Sequence, residues 1–125
     1  MKDLPSPCYV VEEGLLRKNL EILARVKKEG GCKILLAQKA FSMFSMYPQI
    51  ASYLDGTTAS GIYEARLGFE EFGGETHIFS SGYQEKDFDE ILQYSKHLVF
   101  NSKSQFARFG MRAIQAGASV GVCIN

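Results

Sequence analysis

The sequence carries no surplus of either charge. Its fourteen basic and fourteen acidic side chains cancel, so nothing sequence-wide draws it to nucleic acid or to an anionic membrane surface. No apolar run reaches transmembrane length, and the opening "MKDLPSP" lacks the apolar core of a signal peptide. Cysteine is scarce. Cys8, Cys32 and Cys123 are odd in number, far apart, and form neither a CxxC pair nor a zinc spacing, so no metal site is expected. They read as buried thiols in a reducing compartment, which makes the expected location cytoplasmic. Also missing are a P-loop, a GxSxG elbow, an HExxH helix and any low-complexity stretch. "GFEEFGG" (68–74) has glycines, but it follows a helix and does not match GxGxxG after a strand, so it receives no dinucleotide role.

What is present is ordinary globular usage, 46% apolar and 22% charged over 125 residues, enough for one packed domain. "CYVVEE" (8–13) reads as a short strand, and residues 12–31 read as a helix. In that helix Leu16, Leu20, Leu23 and Leu15, Ile22, Val26 fall at helical spacings, Lys27 and Lys28 occupy the last turn, and Gly30 suits the left-handed end. A rhythm follows. Strand candidates at 33–37, 57–60, 76–80, 97–101 and 119–124 alternate with amphipathic segments at 47–54, 62–72, 87–95 and 104–117. Helical spacing is clearest in Phe88, Ile91, Leu92 and in Ala65, Phe69, Phe72, and Gly56, Gly73 and Gly117 follow the periodic residues as stop signals.

Alternation at a repeat of about 20 residues argues for parallel βα units, and continuous apolar strands suit a sheet covered on both faces. A doubly wound sheet and a (β/α)₈ barrel are both compatible with this pattern. A whole barrel needs about 250 residues. The present chain has 125 and ends at "GVCIN" as another strand closes, so it reads as part of an α/β domain.

Lys39 stands out because the apolar run "KILLA" ends two residues before it. In parallel α/β proteins chemistry collects at the carboxyl ends of the strands. Apolar neighbours Ala37, Ala40 and Phe41 should disfavour the charged form and leave a larger nucleophilic fraction, suited to condensation with a carbonyl. The competing reading is a strand-end lysine that merely reaches water.

The stretches "LPSPCYVVEEGLLRKNLEILARVKKEGGCKILLAQKAFSMFSMYPQIASYLDG", "TTASGIYEARLGFEEFGGETHIFSSGY" and "HLVFNSKSQFARF" resemble the amino-terminal part of the carboxynorspermidine/carboxyspermidine decarboxylases. Those enzymes are fold-type III decarboxylases dependent on pyridoxal 5'-phosphate (PLP). "LLAQKAF" and "EARLGFEEFGGETHIFSSGY" are the more specific stretches; Phe41 stands where an asparagine is usual in the wider group. The resemblance implies the amino-terminal part of an alanine racemase-like, PLP-binding (β/α)₈ barrel over 33–125. A strand and helix over 1–32 would precede it, the strand belonging to a β-domain otherwise missing here. It implies that Lys39 holds PLP, that the substrate is a carboxylated polyamine precursor which loses its carboxylate as carbon dioxide, and that the full-length protein is a homodimer. Ser60 and Asn101 match family positions at the ends of the second and fourth barrel strands and could bind the cofactor. Helix-capping or Asx-turn roles compete evenly for both. Ser80 and Ser81 read as a turn, and His77 and His97, at strand openings, read as structural.

The family's phosphate loop, the acidic partner of the pyridine nitrogen, the stacking histidine and the substrate-reading residues have no counterpart in these residues. Cys123 stands where relatives carry arginine, and Thr57 or Thr58 where an acid is often found. The isolated chain is therefore expected to be inactive. The alternatives are a non-catalytic remnant or dimer-interface module, a diaminopimelate-type decarboxylase, and a single-domain PLP-binding barrel.

Overall fold

A computed structural model of the chain describes residues 4–123. Helix α1 (Glu13–Gly30) is followed by strand β1 (Leu35–Ala37), a 3₁₀ turn (Phe44–Met46), helix α2 (Tyr47–Ala51) and strand β2 (Gly56–Ala59). Helix α3 (Ile62–Leu67) runs into a π-turn (Gly68–Phe72). Strand β3 (Glu75–Ser80), helix α4 (Glu85–Tyr94), strand β4 (His97–Phe100), helix α5 (Lys103–Gln115) and strand β5 (Ser119–Val122) complete the order. The five expected strands and the helices between them are therefore present, with shifted ends. Ile124, placed in the last strand by its apolar character, lies outside the described residues.

All five strands are parallel and lie in the order β1-β2-β3-β4-β5. A doubly wound sheet reverses its order at a switch point; this sheet does not, so of the two windings it adopts the barrel's. The two faces differ. Thr57, Ala59, Thr76, Ile78, Leu98 and Phe100 are buried and alternate with half-buried or exposed Thr58, His77, Phe79 and Val99. The helices pack on the first set: Ala65, Phe88, Ile91, Phe109 and Ala113 form one core with Ala59, Ile78, Leu98 and Phe100. A second core gathers Leu20, Tyr47, Ile50, Leu54 and Phe72 beneath β1. The apolar runs that suggested coverage on both faces thus have one face covered by described residues.

Phe88 and Phe109 meet with ring centroids 4.5 Å apart, each next to fully buried, and Tyr83 donates its hydroxyl to the Ile78 and Val99 carbonyls beside them. Phe88→Ala should therefore cost about 3–5 kcal/mol. Urea melts of the chain check this, and a loss below about 1 kcal/mol would show that the site collapses around the smaller side chain.

Four local expectations are corrected. Residues 8–12 form no strand; they run exposed or half-exposed with no ladder partner among the described residues, and α1 begins directly after them. Gly31, not Gly30, takes the left-handed cap of α1 at φ 60°. Gly56 does not end a helix but opens β2. The helix expected over 62–72 changes at Gly68 into wider π geometry, which breaks the 3.6 period: Ala65 and Phe72 stay buried while Phe69 turns outward onto Tyr94.

Candidate functional site

The register places the site. Ala37 pairs with Thr58, Thr58 with His77, His77 with His97, and His97 with Ser119, one row across the sheet. Lys39 and Ser60 each follow that row by two residues on β1 and β2, and Asn101 follows the last residue of β4. The three sequence-chosen residues therefore share the carboxyl rim of the sheet.

Lys39 sits in a tight turn held by Ala40 and Phe41 N–H groups, both donating to the Ala37 carbonyl at 2.9 and 3.2 Å. Its side chain is exposed and makes no ion pair or hydrogen bond among the described residues. The expected desolvation is absent, because Ala40 is exposed too and Ala37 and Phe41 are only half-buried. What remains is a reachable primary amine with no salt-bridge partner, which fits a carbonyl-bearing cofactor.

Ser60 is exposed and does not cap α3; Gly61 holds that position, and the Ser60 N–H donates to a Glu64 carboxylate oxygen at 2.7 Å. Asn101 likewise does not cap α5. Ser102 does, its hydroxyl accepting from the Gln105 N–H, while the Asn101 N–H donates to Gln105 Oε1 at 3.3 Å. Gln105 also donates to the Ser81 carbonyl, tying the β3 turn to the β4 turn. Among the described residues the hydroxyl of Ser60 and the side-chain amide of Asn101 make no hydrogen bond.

One buried group beside Lys39 escaped the sequence reading. Gln38 is 2% exposed, its main-chain N–H extends the sheet to the Thr58 carbonyl, and its side chain bonds Tyr47 and the Glu64 carbonyl. A glutamine between an apolar run and a strand-end lysine was the available signal.

The row beneath the rim is polar. The His77 ring N–H donates to a Glu75 carboxylate oxygen at 3.1 Å, its ring stands 5.0 Å from that of His97, and His97 meets the Ser119 hydroxyl at 2.9 Å. Glu75 also pairs with Lys33, which with His77 holds its carboxyl below the usual range. Burial, and secondarily the neighbouring His77, pushes the His97 imidazole below the ordinary histidine value. The folded chain then binds this proton less readily than the unfolded chain. The stabilising contribution is present above about pH 6.5 and drains away as the pH falls through the depressed value. His97→Gln should flatten that part of the stability curve, as read by thermal melts from about pH 7.5 down to about pH 5. A parental slope unchanged in the variant would assign it to other groups. The cysteines depart from expectation: Cys8 and Cys32 are exposed and Cys123 is half-buried.

Two hollows flank the rim. One of about 290 Å³ lies between the β2 and β3 turns, lined by Gly61, Tyr63, Ser80, Gly82, Tyr83 and Lys86. A groove of about 650 Å³ begins just past Lys39, between Tyr9–Val11 and Ala40–Met43. Among the described residues no three His, Cys, Asp or Glu side chains gather as metal ligands, and no helix is long and apolar enough to cross a membrane.

No protein-family model matches the sequence. Curated relatives do. A carboxynorspermidine/carboxyspermidine decarboxylase of Herminiimonas arsenicoxydans is 38% identical over 110 residues, 88% of this chain and 30% of the relative. Its counterpart in Campylobacter jejuni is 41% identical over 106 residues, 85% of this chain and 28% of the relative. The chain is a homologue of a segment of these decarboxylases. A carboxyaminopropylagmatine decarboxylase of Synechocystis is 38% identical over all 125 residues, 32% of its own length. The chain thus spans about a third of the length of the curated relatives it matches. Its fold agrees with the crystal structure of carboxynorspermidine decarboxylase from Campylobacter jejuni complexed with norspermidine: TM-score 0.89, 38% identity, 94% of this chain and 31% of that one. D-threonine aldolase from Filomicrobium marinum shares the fold at TM-score 0.82 and 15% identity, over 98% of this chain and 35% of the aldolase. The partial barrel expected from the resemblance is the architecture found.

Proposed function

We propose that this chain supplies the cofactor-holding part of a decarboxylase acting on carboxynorspermidine or carboxyspermidine, with Lys39 holding PLP. The observation that carries the reading is the exposed Lys39 at the carboxyl end of β1, unpaired among the described residues, in a chain homologous to a segment of enzymes of that name. Ser60 and Asn101, on the same rim, are proposed to contact the cofactor. Bound PLP supplies an electron sink for the pair left when the carbon–carboxylate bond breaks. The chain's own part is narrower: Lys39 offers the amine, the β1 turn fixes its origin, and the Ser60 and Asn101 turns offer polar groups on the same rim.

Residues 33–125 form the barrel portion in this proposal and residues 1–32 a separate lead-in. The full-length protein works in polyamine synthesis in the cytoplasm as a homodimer, and the 125-residue chain by itself does not turn over. Preorganised groups around the reacting centre supply most of the rate, and the rim alone holds few of them. The match to the Synechocystis relative, over all 125 residues of this chain, favours carboxyaminopropylagmatine as the second substrate reading.

The test is carbon dioxide release from the three carboxylated substrates and from diaminopimelate, by the chain with PLP and by the protein extended to the length of its relatives. Turnover of a carboxylated polyamine by the longer protein alone is expected. Turnover by the 125-residue chain, or of diaminopimelate in preference, overturns the proposal.

A further inference from the structure

The residue before Lys39 is anchored through its side chain as well as its backbone. Gln38 is 2% exposed and Tyr47, its partner, wholly buried. The Tyr47 hydroxyl donates to Gln38 Oε1 at 3.1 Å, and Gln38 Nε2 donates to the Glu64 carbonyl at 2.7 Å. Its main-chain N–H meets the Thr58 carbonyl at 3.2 Å. So the side chain's donor and acceptor ends are both engaged, on α2 and on α3, and a buried amide satisfied at both ends is costly to shift.

The surrounding fold is shaped to admit that amide. A Cβ at Gly68 would stand 2.2 Å from Thr57 Oγ1 and 3.0 Å from Gln38 Nε2, so the first residue of the π-turn must be glycine for the helix to lie this close. Glu64 then does two things: its carbonyl takes Gln38, and its carboxylate takes the Ser60 N–H at 2.7 Å. Lys39 and Ser60 are the two rim residues after β1 and β2, and one residue of α3 holds both the Gln38 side chain next to Lys39 and the main-chain N–H of Ser60.

We propose that Gln38 is a positioning residue for Lys39. Its amide, gripped by the Tyr47 hydroxyl and the Glu64 carbonyl, fixes the strand end that carries the lysine, and Glu64 holds the Ser60 turn at a set spacing from it. This inference rests on the reading of Lys39 as the cofactor-holding residue. Burial pushes the Tyr47 phenol up, with the Glu64 carboxylate adding to it, so the hydroxyl remains a donor throughout the neutral range.

Three forms of the chain test it: the parent, Gln38→Leu, which removes both side-chain bonds at similar volume, and Tyr47→Phe, which removes one. The first readout needs no cofactor. Amide exchange by NMR at Ala40 and Phe41, whose N–H groups close the Lys39 turn, is compared with exchange at Ile78 and Leu98 in the neighbouring strands. The expected result is acceleration of about tenfold at Ala40 and Phe41 in Gln38→Leu, less in Tyr47→Phe, with Ile78 and Leu98 unchanged. Acceleration everywhere alike, or nowhere, overturns the inference. Should Gln38→Leu fail to fold, Tyr47→Phe decides in the same way.

The second readout is incubation with PLP, borohydride reduction and the share of pyridoxyl label on Lys39 against the other lysines. A parental preference for Lys39 that falls about tenfold in Gln38→Leu supports the inference; a preference that survives intact overturns it. A parent with no preference defeats the reading of Lys39 itself, and the exchange result still decides whether Gln38 orders the turn.

Discussion

Lys39→Ala should abolish selective attachment of PLP to the chain. After incubation with the cofactor, reduction and digestion, the pyridoxyl mass at position 39 should vanish, while label on the other lysines, Lys33 included, stays at its parental background. The expectation follows from access and partnering. Lys39 is exposed and makes no ion pair or hydrogen bond among the described residues. Lys27, by contrast, is engaged by Asp55 at 2.8 Å, and Lys33 by Glu75. An amine committed to a carboxylate must first break that contact to attack a carbonyl; Lys39 need not. The same lack of partners means that the substitution should leave stability within about 0.5 kcal/mol of the parent. Loss of labelling would then report chemistry and not unfolding. Labelling spread evenly over the lysines of the parent, with Lys39→Ala no different, would end the case for a cofactor lysine here. In the protein at its relatives' length, the same change should remove decarboxylation.

The lysine's place on the rim was legible because its signal is local. An apolar strand ending in an ammonium group, in a chain of βα repeats, marks the carboxyl edge of a sheet, and Lys39, Ser60 and Asn101 do share that rim. Strand and helix positions were legible for the same reason: continuous apolar runs and the 3.6-residue period are written over neighbouring residues. Strand order was not. Both windings use the same alternation, and only the pairing of β1 with β2 and onward, without a reversal, separates them.

The misses share one physical cause, which is contact at a distance along the chain. Gln38 looks like one more polar residue at a strand end, yet its partners Tyr47 and Glu64 lie 9 and 26 residues away. The π-turn looks like continuous helix, yet Gly68 sits against Thr57 and Gln38, a closeness no local propensity encodes. The apolar spacing of α1 promised a buried face, but Leu15, Ile22 and Val26 are 55, 50 and 48% exposed, and only Leu20 is buried. "CYVVEE" has strand-forming residues but no ladder partner among the described residues, and β-propensity expresses itself only where a neighbouring strand completes the hydrogen bonds. For the cysteines the scarcity argument addressed pairing and metal binding, and burial does not follow from either.

Gly56→Ala should be among the most damaging single methyl additions in the chain, although glycine there first looks like a helix stop. Gly56 opens β2 beside Glu75, its register partner on β3. A Cβ at this position would stand 1.9 Å from the Glu75 carbonyl oxygen and 2.7 Å from its carbonyl carbon and nitrogen. These are main-chain atoms, so no rotamer change can relieve the overlap; the strands must part. Separation there would strain the Glu75 N–H to Asp55 carbonyl bond of 3.0 Å and the Thr57–Thr76 contact within the buried face. It would also disturb Asp55, which accepts from the Ile34 N–H and pairs with Lys27. Overpacking of this kind costs about 1–3 kcal/mol and occasionally more, and the upper end is expected where backbone meets backbone. Gly14→Ala is the matched opposite. Gly14 lies in the first turns of α1, with nothing within 4 Å of an added Cβ, so alanine should stabilise by about 0.5–1 kcal/mol through helix propensity. Urea melts of the two variants should therefore move to opposite sides of the parent. A Gly56→Ala chain as stable as the parent would mean that β2 and β3 can separate at their start without loss. The row through Thr58, His77 and His97, and with it the spacing of the rim, would then be held by the later pairs of the ladder.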